Sequence, residues 1–351
     1  MTLARPIVLR MFATTIAAAI GGLVADALGL PLGFLIGAMF AVAALSLMNL
    51  PVAVIPNGRQ AAQGLIGIGA GLRMTPEVAE RLVGLLPVMI GAALSVILCA
   101  CLISVAIAKL TRLDADTAFF SSLPGGIAEM AVLSERYGGN PGLVSIGQFL
   151  RILLVTLAVP QIVIALKNSD LTVAAPVTAA VPVQWLPLVG ICLVALPLAL
   201  GLSRLKVPNA WLLSGIIAGA VLAITEWQRT SVPVTGLEIA QIVVGMSLGA
   251  RCTRAVFRDG YRTLPANVIG TLTLIGFATL AATLIGTVFH IDIVSLVLAL
   301  APGGIAEMSL VSAQVGGDTV LVVAFHLVRV IMVLTLAVLL KRIFTGRLSA
   351  S

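Results

Sequence analysis

The residues best placed to do chemistry in this chain occur twice. Pro124, Gly125 and Gly126 are followed by Ile127, Ala128, Glu129 and Met130, and Pro302, Gly303 and Gly304 by Ile305, Ala306, Glu307 and Met308, so PGGIAEM is repeated within two apolar segments. A Pro-Gly-Gly break opens a helix and frees backbone polar groups that hydrocarbon cannot satisfy, so it is tolerated only where it is buried or lines a wet cavity. Glu129 and Glu307 fall in the first turn of the helix that restarts after each break. There the free N–H groups and the positive dipole end favour an anion, either a substrate carboxylate or the glutamate itself. A lone charge at the bilayer centre costs about 2.5–3.5 kcal/mol on insertion scales, which makes an intramembrane Glu a functional candidate by default. The plainer alternative is that each Glu caps its own helix or neutralises an arginine.

Arg151 and Arg329 lie deep inside segments that otherwise read as spanning helices, too far from the nearer end to be snorkelling anchors. Each needs a partner. Gln148 and His326 stand three residues before them, on the same helix face. Glu129, Glu307, Arg151, Arg329, Gln148 and His326 together come near charge neutrality, as a buried polar centre should, whether it binds substrate or holds the structure together by ion pairs. His326 breaks the symmetry with a titratable group whose unperturbed pKa of about 6.5 suits proton coupling, although a hydrogen-bonded buried histidine is the commoner case. Gln63 and Gln241, in glycine-rich segments, read either as contacts lining the same cavity or as interhelical hydrogen bonds.

Other polar positions carry less. Gly67, Gly69, Gly71, Gly245 and Gly249 read as close-packing positions, because no strand-and-helix context for phosphate binding surrounds them. Asp114 and Asp292 stand at segment starts as helix caps. Cys99, Cys101, Cys192 and Cys252 form no CxxC pair, and His290 and His326 sit on different segments, so neither a metal site nor a cofactor is expected.

The elements that must position these residues are membrane helices. The chain has 351 residues, of which 60% are hydrophobic and 10% charged, and its mean hydropathy is +1.16. That composition does not suit a water-soluble chain of this length. Apolar runs recur from 7–25 to 319–340, those at 60–72 and 236–250 being short for a span of about 20 residues. The first run reads as an uncleaved anchor, since it leads directly into further membrane segments. A net charge of +7 resides mainly in short loops and at the ends, the positive-inside signature rather than a nucleic-acid surface.

Pro124 and Pro302 are 178 residues apart, and one offset aligns much of each half without a gap. Gln63, Gly67, Gly71 and Arg73 fall on Gln241, Gly245, Gly249 and Arg251, Asp114 on Asp292, Ser134 on Ser312, and Arg151 on Arg329. A duplication explains this register, giving a first membrane repeat over 1–168, a linker over 169–182 and a second repeat over 183–351. The basic group Arg251, Arg254, Arg258 and Arg262, the Arg204/Lys206 loop and both termini should be cytoplasmic. They share one side if 115–136 and 293–314 enter and leave by the same face. Each half then has five spans plus one re-entrant hairpin, and the odd count inverts the second repeat. The rival arrangement has broken helices that cross completely. The expected fold is therefore an all-α polytopic membrane protein of two inverted repeats, each of about five spans plus a PGG-broken or re-entrant helix.

The duplicated PGGIAEM units, the glycine-rich Gln-to-Arg segments and the in-helix Arg151 and Arg329 resemble the AbrB-type bacterial inner-membrane family, which is distinct from the small DNA-binding regulator sharing that name. The resemblance covers nearly the whole chain. Its members are labelled both as regulators of gene expression and as ammonia monooxygenases, and the family is similar to the cation/proton antiporter and anion transporter superfamily. Oxygenase chemistry needs clustered histidine and carboxylate ligands that two separated histidines do not supply. Direct transcriptional control needs a soluble basic module, and no loop is long enough to be one. The expected function is a secondary transporter of a small, anionic organic solute, not an enzyme. Its site would lie at midplane between the PGG breaks, with Glu129, Glu307 and His326 coupling protons or Na⁺. The alternative is a membrane sensor that affects gene expression indirectly. Expected partners are the solute or ion, the lipid bilayer of a bacterial inner membrane and, as an option the sequence leaves open, a second copy of the chain; direct contact with nucleic acid is not expected.

Overall fold

A computed structural model describes residues 4–167, 182–225, 230–261 and 263–345. Residues 169–181 of the expected linker, and Arg262 and Arg347 of the basic groups, lie outside the described residues. The described residues are helical with no strand. The first half contains α1 (Ala4–Ala27), α2 (Gly33–Leu47), α3 (Gly58–Gly71), α4 (Pro76–Gly84), α5 (Leu86–Thr111), α6 (Ala115–Ser122), α7 (Ile127–Arg136) and α8 (Pro141–Lys167). The second contains α9 (Trp185–Arg204), α10 (Ala210–Ile224), α11 (Val234–Gly249), α12 (Arg254–Gly260), α13 (Leu264–Phe289), α14 (Ile293–Leu300), α15 (Ile305–Val315) and α16 (Thr319–Thr345). The bounds of α5, α6 and α8 recur at α13, α14 and α16 at the same 178-residue offset that relates Pro124 to Pro302.

Six of the described helices are long and apolar enough to cross a bilayer, lying within α1, α5, α8, α9, α13 and α16. Their outer faces carry large apolar side chains in the open, among them Leu9, Phe12, Leu102, Leu186, Leu193, Ile269 and Leu284. Water would penalise such surfaces, whereas lipid does not. The protein is membrane-embedded.

The helices assemble into two compact units, and each unit draws on both halves of the sequence. One comprises residues 1–81, 175–254 and 309–320, the other 82–174, 255–308 and 321–351. In the first unit α3 packs on α10 and α2 on α11, so each short glycine-rich helix takes its partner from the opposite half. Sequence repeat and spatial unit thus divide the chain differently. In the second unit α5, α6, α8, α13 and α14 pack together, with α7 against α8.

The first PGG break turns the chain back on itself. The Asn140 N–H, just after α7, donates to Thr117 Oγ1 in the first turn of α6 at 2.7 Å, and the Phe120 and Tyr137 rings stack at 6.1 Å. The outer ends of α6 and α7 therefore meet, as a re-entrant hairpin requires and a fully crossing broken helix does not. Lys341, near the end of α16, pairs with Asp116 at 3.1 Å and lies over the Tyr137 ring. The end of α16 thus lies beside the start of α8, its counterpart in the sequence repeat.

Both expected caps form. Asp114 accepts from Thr117 N–H at 2.7 Å and Asp292 from Ser295 N–H at 2.8 Å. Asp114→Ala should cost about 1 kcal/mol, the usual value of an N-cap. A thermal unfolding midpoint equal to that of wild type would show that the hairpin entry does not depend on it.

Candidate functional site

The second unit brings together most of the residues expected to carry chemistry. Helix α6 ends at Ser122 and α7 begins after Gly126; Leu123 and Gly126 are extended, and between them the Gly125 N–H turns back to Leu123 O at 2.8 Å. A helix end leaves up to four carbonyls without intrahelical donors, and in an apolar surrounding each must find one. Gln148 and Arg151 supply them from α8. Gln148 Nε2 donates to Phe120 O at 2.6 Å and to Leu123 O at 2.8 Å. Arg151 Nη1 donates to Leu123 O at 2.6 Å, and Nη2 to Gly125 O at 3.0 Å and to Gln148 Oε1 at 2.7 Å. Its Nε donates across to the other break, to Pro302 O at 2.9 Å.

The second break repeats the scheme from α16. Arg329 Nη1 donates to Ala301 O and Nη2 to Gly303 O at 2.8 Å. His326 takes the place of Gln148, with Nε2 3.1 Å from Leu298 O, the counterpart of Phe120 O. Since a carbonyl only accepts, that contact assigns the proton to Nε2. His326 Nδ1 and Arg329 Nε have no hydrogen-bond partner among the described residues, although both side chains are buried.

Of the roles left open for this set, glutamate–arginine ion pairing is not the one found. Neither Arg151 nor Arg329 has an ion-pair partner among the described residues; both guanidinium forks hold the carbonyls freed by the breaks. The physical reason is the geometry of a helix C-terminus, where a planar fork matches converging carbonyls and the negative dipole end attracts the cation. The glutamates stay with their own helices. The Glu129 carboxylate lies where a side chain on Gly126 would begin, and Glu307 does the same over Gly304. Glu129 is the third residue after Gly126, the position from which a carboxylate folds back over the first turn. Glu307 is buried and Glu129 partly so. Both glutamate carboxylates thus stand at these half-helix N-termini.

Gln63 and Gln241 lie in the first unit, on α3 and α11. Gln241 is buried with Oε1 unpartnered among the described residues. The neighbouring glycines are packing residues, as expected: a side chain on Gly67 or Gly71 would meet the backbone of α10, and one on Gly245 or Gly249 that of α2. Gly69 instead faces Val232 at ordinary distance. Sequence reasoning passed over Asn267 and Thr271, polar residues one turn apart on α13 that face the Arg151 side of the first break. Their counterparts at the repeat offset, Met89 and Ala93, are apolar, and that difference was the available signal.

The profile of the family described as "Transition state regulatory protein AbrB" matches residues 34–345. The chain belongs to the AbrB family. It is 28% identical over 348 residues to "Uncharacterized protein YhjN" of Bacillus subtilis (strain 168), covering 91% of this chain and 88% of that one. It is 24% identical over 309 residues to "Putative regulator AbrB" of Escherichia coli (strain K12), covering 88% of each. No solved structure matches the chain. AbrB membership agrees with the resemblance carried by the duplicated motif and the in-helix arginines.

Proposed function

We propose that this AbrB-family chain is a secondary transporter of a small organic anion, with two inverted repeats and an alternating-access site at the paired breaks. The observation that carries the reading is Arg151, which bonds to Leu123 O and Gly125 O of one break and to Pro302 O of the other. Broken helices from two halves of a duplicated membrane chain meet at one buried cation, the arrangement from which secondary carriers build midplane sites. Inversion is supported by the end of α16 lying beside the start of α8. The basic loops and termini favour a cytoplasmic placement in a bacterial inner membrane. No step of this reading calls for catalysis, a metal or a cofactor.

In this mechanism each glutamate holds the half-helix N-terminus until an anion competes for it. A displaced carboxylate then takes a proton rather than remain charged in an apolar site, which couples solute to protons.

The test is uptake by proteoliposomes of labelled acetate, lactate and succinate under an imposed proton gradient. Accumulation above equilibrium is expected for at least one; none for any of the three would sink the anion carrier. The Glu129→Gln/Glu307→Gln variant should remain folded, because glutamine also serves at this capping position. It should retain counterflow exchange while losing gradient-driven accumulation by tenfold or more. Equal accumulation would remove the glutamates from coupling. A second reading, a membrane-bound regulator that senses its ligand without carrying it, is favoured by the name of the Escherichia coli relative. It predicts saturable binding with no accumulation.

A further inference from the structure

Beside the first break, wholly within the second unit, lies a cavity of about 10 Å³ lined by Ser121, Ser122, Gly147, Arg151, Asn267 and Thr271 among others. That volume holds about one water-sized species. Arg151, Asn267 and Thr271 are each more than nine-tenths buried. Neither the Asn267 amide nor the Thr271 hydroxyl has a hydrogen-bond partner among the described residues. A guanidinium has five N–H donors, and Arg151 uses one on Nε, one on Nη1 and two on Nη2. One Nη1 N–H remains. The Ser121 and Ser122 hydroxyls already donate to Ala118 O, so their lone pairs alone are open. Polar groups left without a protein partner in such a cavity favour a bound species that supplies one.

The lining offers donors from Arg151, Asn267 and Thr271, carries a positive charge with no acidic ion-pair partner among the described residues, and has room for a single atom. We infer that this cavity binds one anionic atom, a halide or one oxygen of a carboxylate, held by the remaining Arg151 N–H, the Asn267 amide and the Thr271 hydroxyl. The inference rests on the carrier reading for its role, which is to dock the charged head of the solute on one side of the break. The site is single, because the repeat offset places Met89 and Ala93 where a second Asn267 and Thr271 would be needed. Gly147 keeps it open: a side chain there would press on Ser121 Cβ at 2.8 Å and reach the Asn267 amide at 3.4 Å.

The test uses the purified full chain and measures thermal stabilisation by sodium bromide, sodium acetate and, as a neutral analogue, acetamide. Bromide or acetate should raise the unfolding midpoint saturably and acetamide should not; response to bromide alone identifies an inorganic anion, response to acetate a carboxylate head. Asn267→Leu/Thr271→Val should raise the half-saturating concentration at least tenfold, and the near-isosteric Thr271→Val alone, which guards against misfolding of the double variant, several-fold. Ser46→Ala, in the other unit, should leave it unchanged. Wild type insensitive to both anions, or folded variants with unaltered half-saturation, would overturn the inference. Uptake then separates the two claims. If the variants bind and accumulate solute as wild type does, the cavity assignment fails and the carrier stands; if wild type binds but never accumulates, the carrier fails and the cavity stands.

Discussion

Arg151→Ala is expected to be the most damaging single side-chain truncation in the second unit. It removes the donors to Gly125 O and Pro302 O and one of three donors to Leu123 O, the others being Gln148 Nε2 and the Gly125 N–H. A buried acceptor left unsatisfied costs about 1–3 kcal/mol, so two orphaned carbonyls set the loss at about 2–6 kcal/mol. Against a typical total stability of about 5–15 kcal/mol, that should sharply lower the yield of folded protein and its unfolding midpoint. Arg329→Ala should do less, since among the described residues Arg329 bonds to its own break alone and its Nε is unpartnered. Arg151→Lys should recover only part, because one ammonium cannot span carbonyls that a planar fork reaches together. The measurement is thermal unfolding of the three variants in detergent. If Arg151→Ala unfolds no earlier than Arg329→Ala, the link between the breaks is not what holds them.

The same arginines show which parts of the site the sequence could reveal. Their depth in apolar helices and the register of Gln148 and His326 marked them as a set, because a buried charge is rare and periodicity places neighbours three residues apart on one face. Their partners were not legible. Ion pairing stood among the open alternatives and carbonyl binding did not, since side-chain charges can be counted in a sequence while a carbonyl freed by a helix break is invisible until its direction is known. The hairpin at PGG was inferred from basic loops and then met in the Thr117–Asn140 hydrogen bond. The exchange of partners between halves had no such signal: α3 and α10 come from opposite halves of the chain, and nothing in either names the other. Asn267 and Thr271 were overlooked for a different reason. Two polar residues in an apolar run look like tolerated exceptions until the fold shows that they line one cavity with Arg151.

Gly67→Val should abolish the folded state of the first unit. A side chain at Gly67 would collide with the carbonyl oxygen of Leu212 and come within 3.1 Å of Ile216 N, and one at Gly71 within 2.9 Å of Ala220 N. The contact is mutual, because a side chain on Gly215 would lie 2.8 Å from Ile68 N and one on Gly219 2.8 Å from Ile68 O. Both helices therefore present small-xxx-small faces, Gly67 with Gly71 and Gly215 with Gly219, and approach backbone to backbone. Lipid supplies no hydrophobic drive between apolar helices, so close van der Waals contact must hold them, and a few tenths of an ångström of forced separation removes much of it. Overpacking typically costs about 1–3 kcal/mol when side chains can yield; here the obstacle is backbone on a partner helix, so the loss should exceed that range. Gly91 and Gly276, inside α5 and α13, have nothing within 4 Å of the point where a side chain would begin. Gly→Ala at those two should leave stability unchanged or raise it by about 0.5–1 kcal/mol through helix propensity. Folded yield and unfolding midpoint of Gly67→Val, Gly91→Ala and Gly276→Ala, compared side by side, decide the matter. A Gly67→Val protein as stable as the other two would mean that the α3–α10 seam is looser than its glycines imply, and that its exchange between halves is not what fastens the unit.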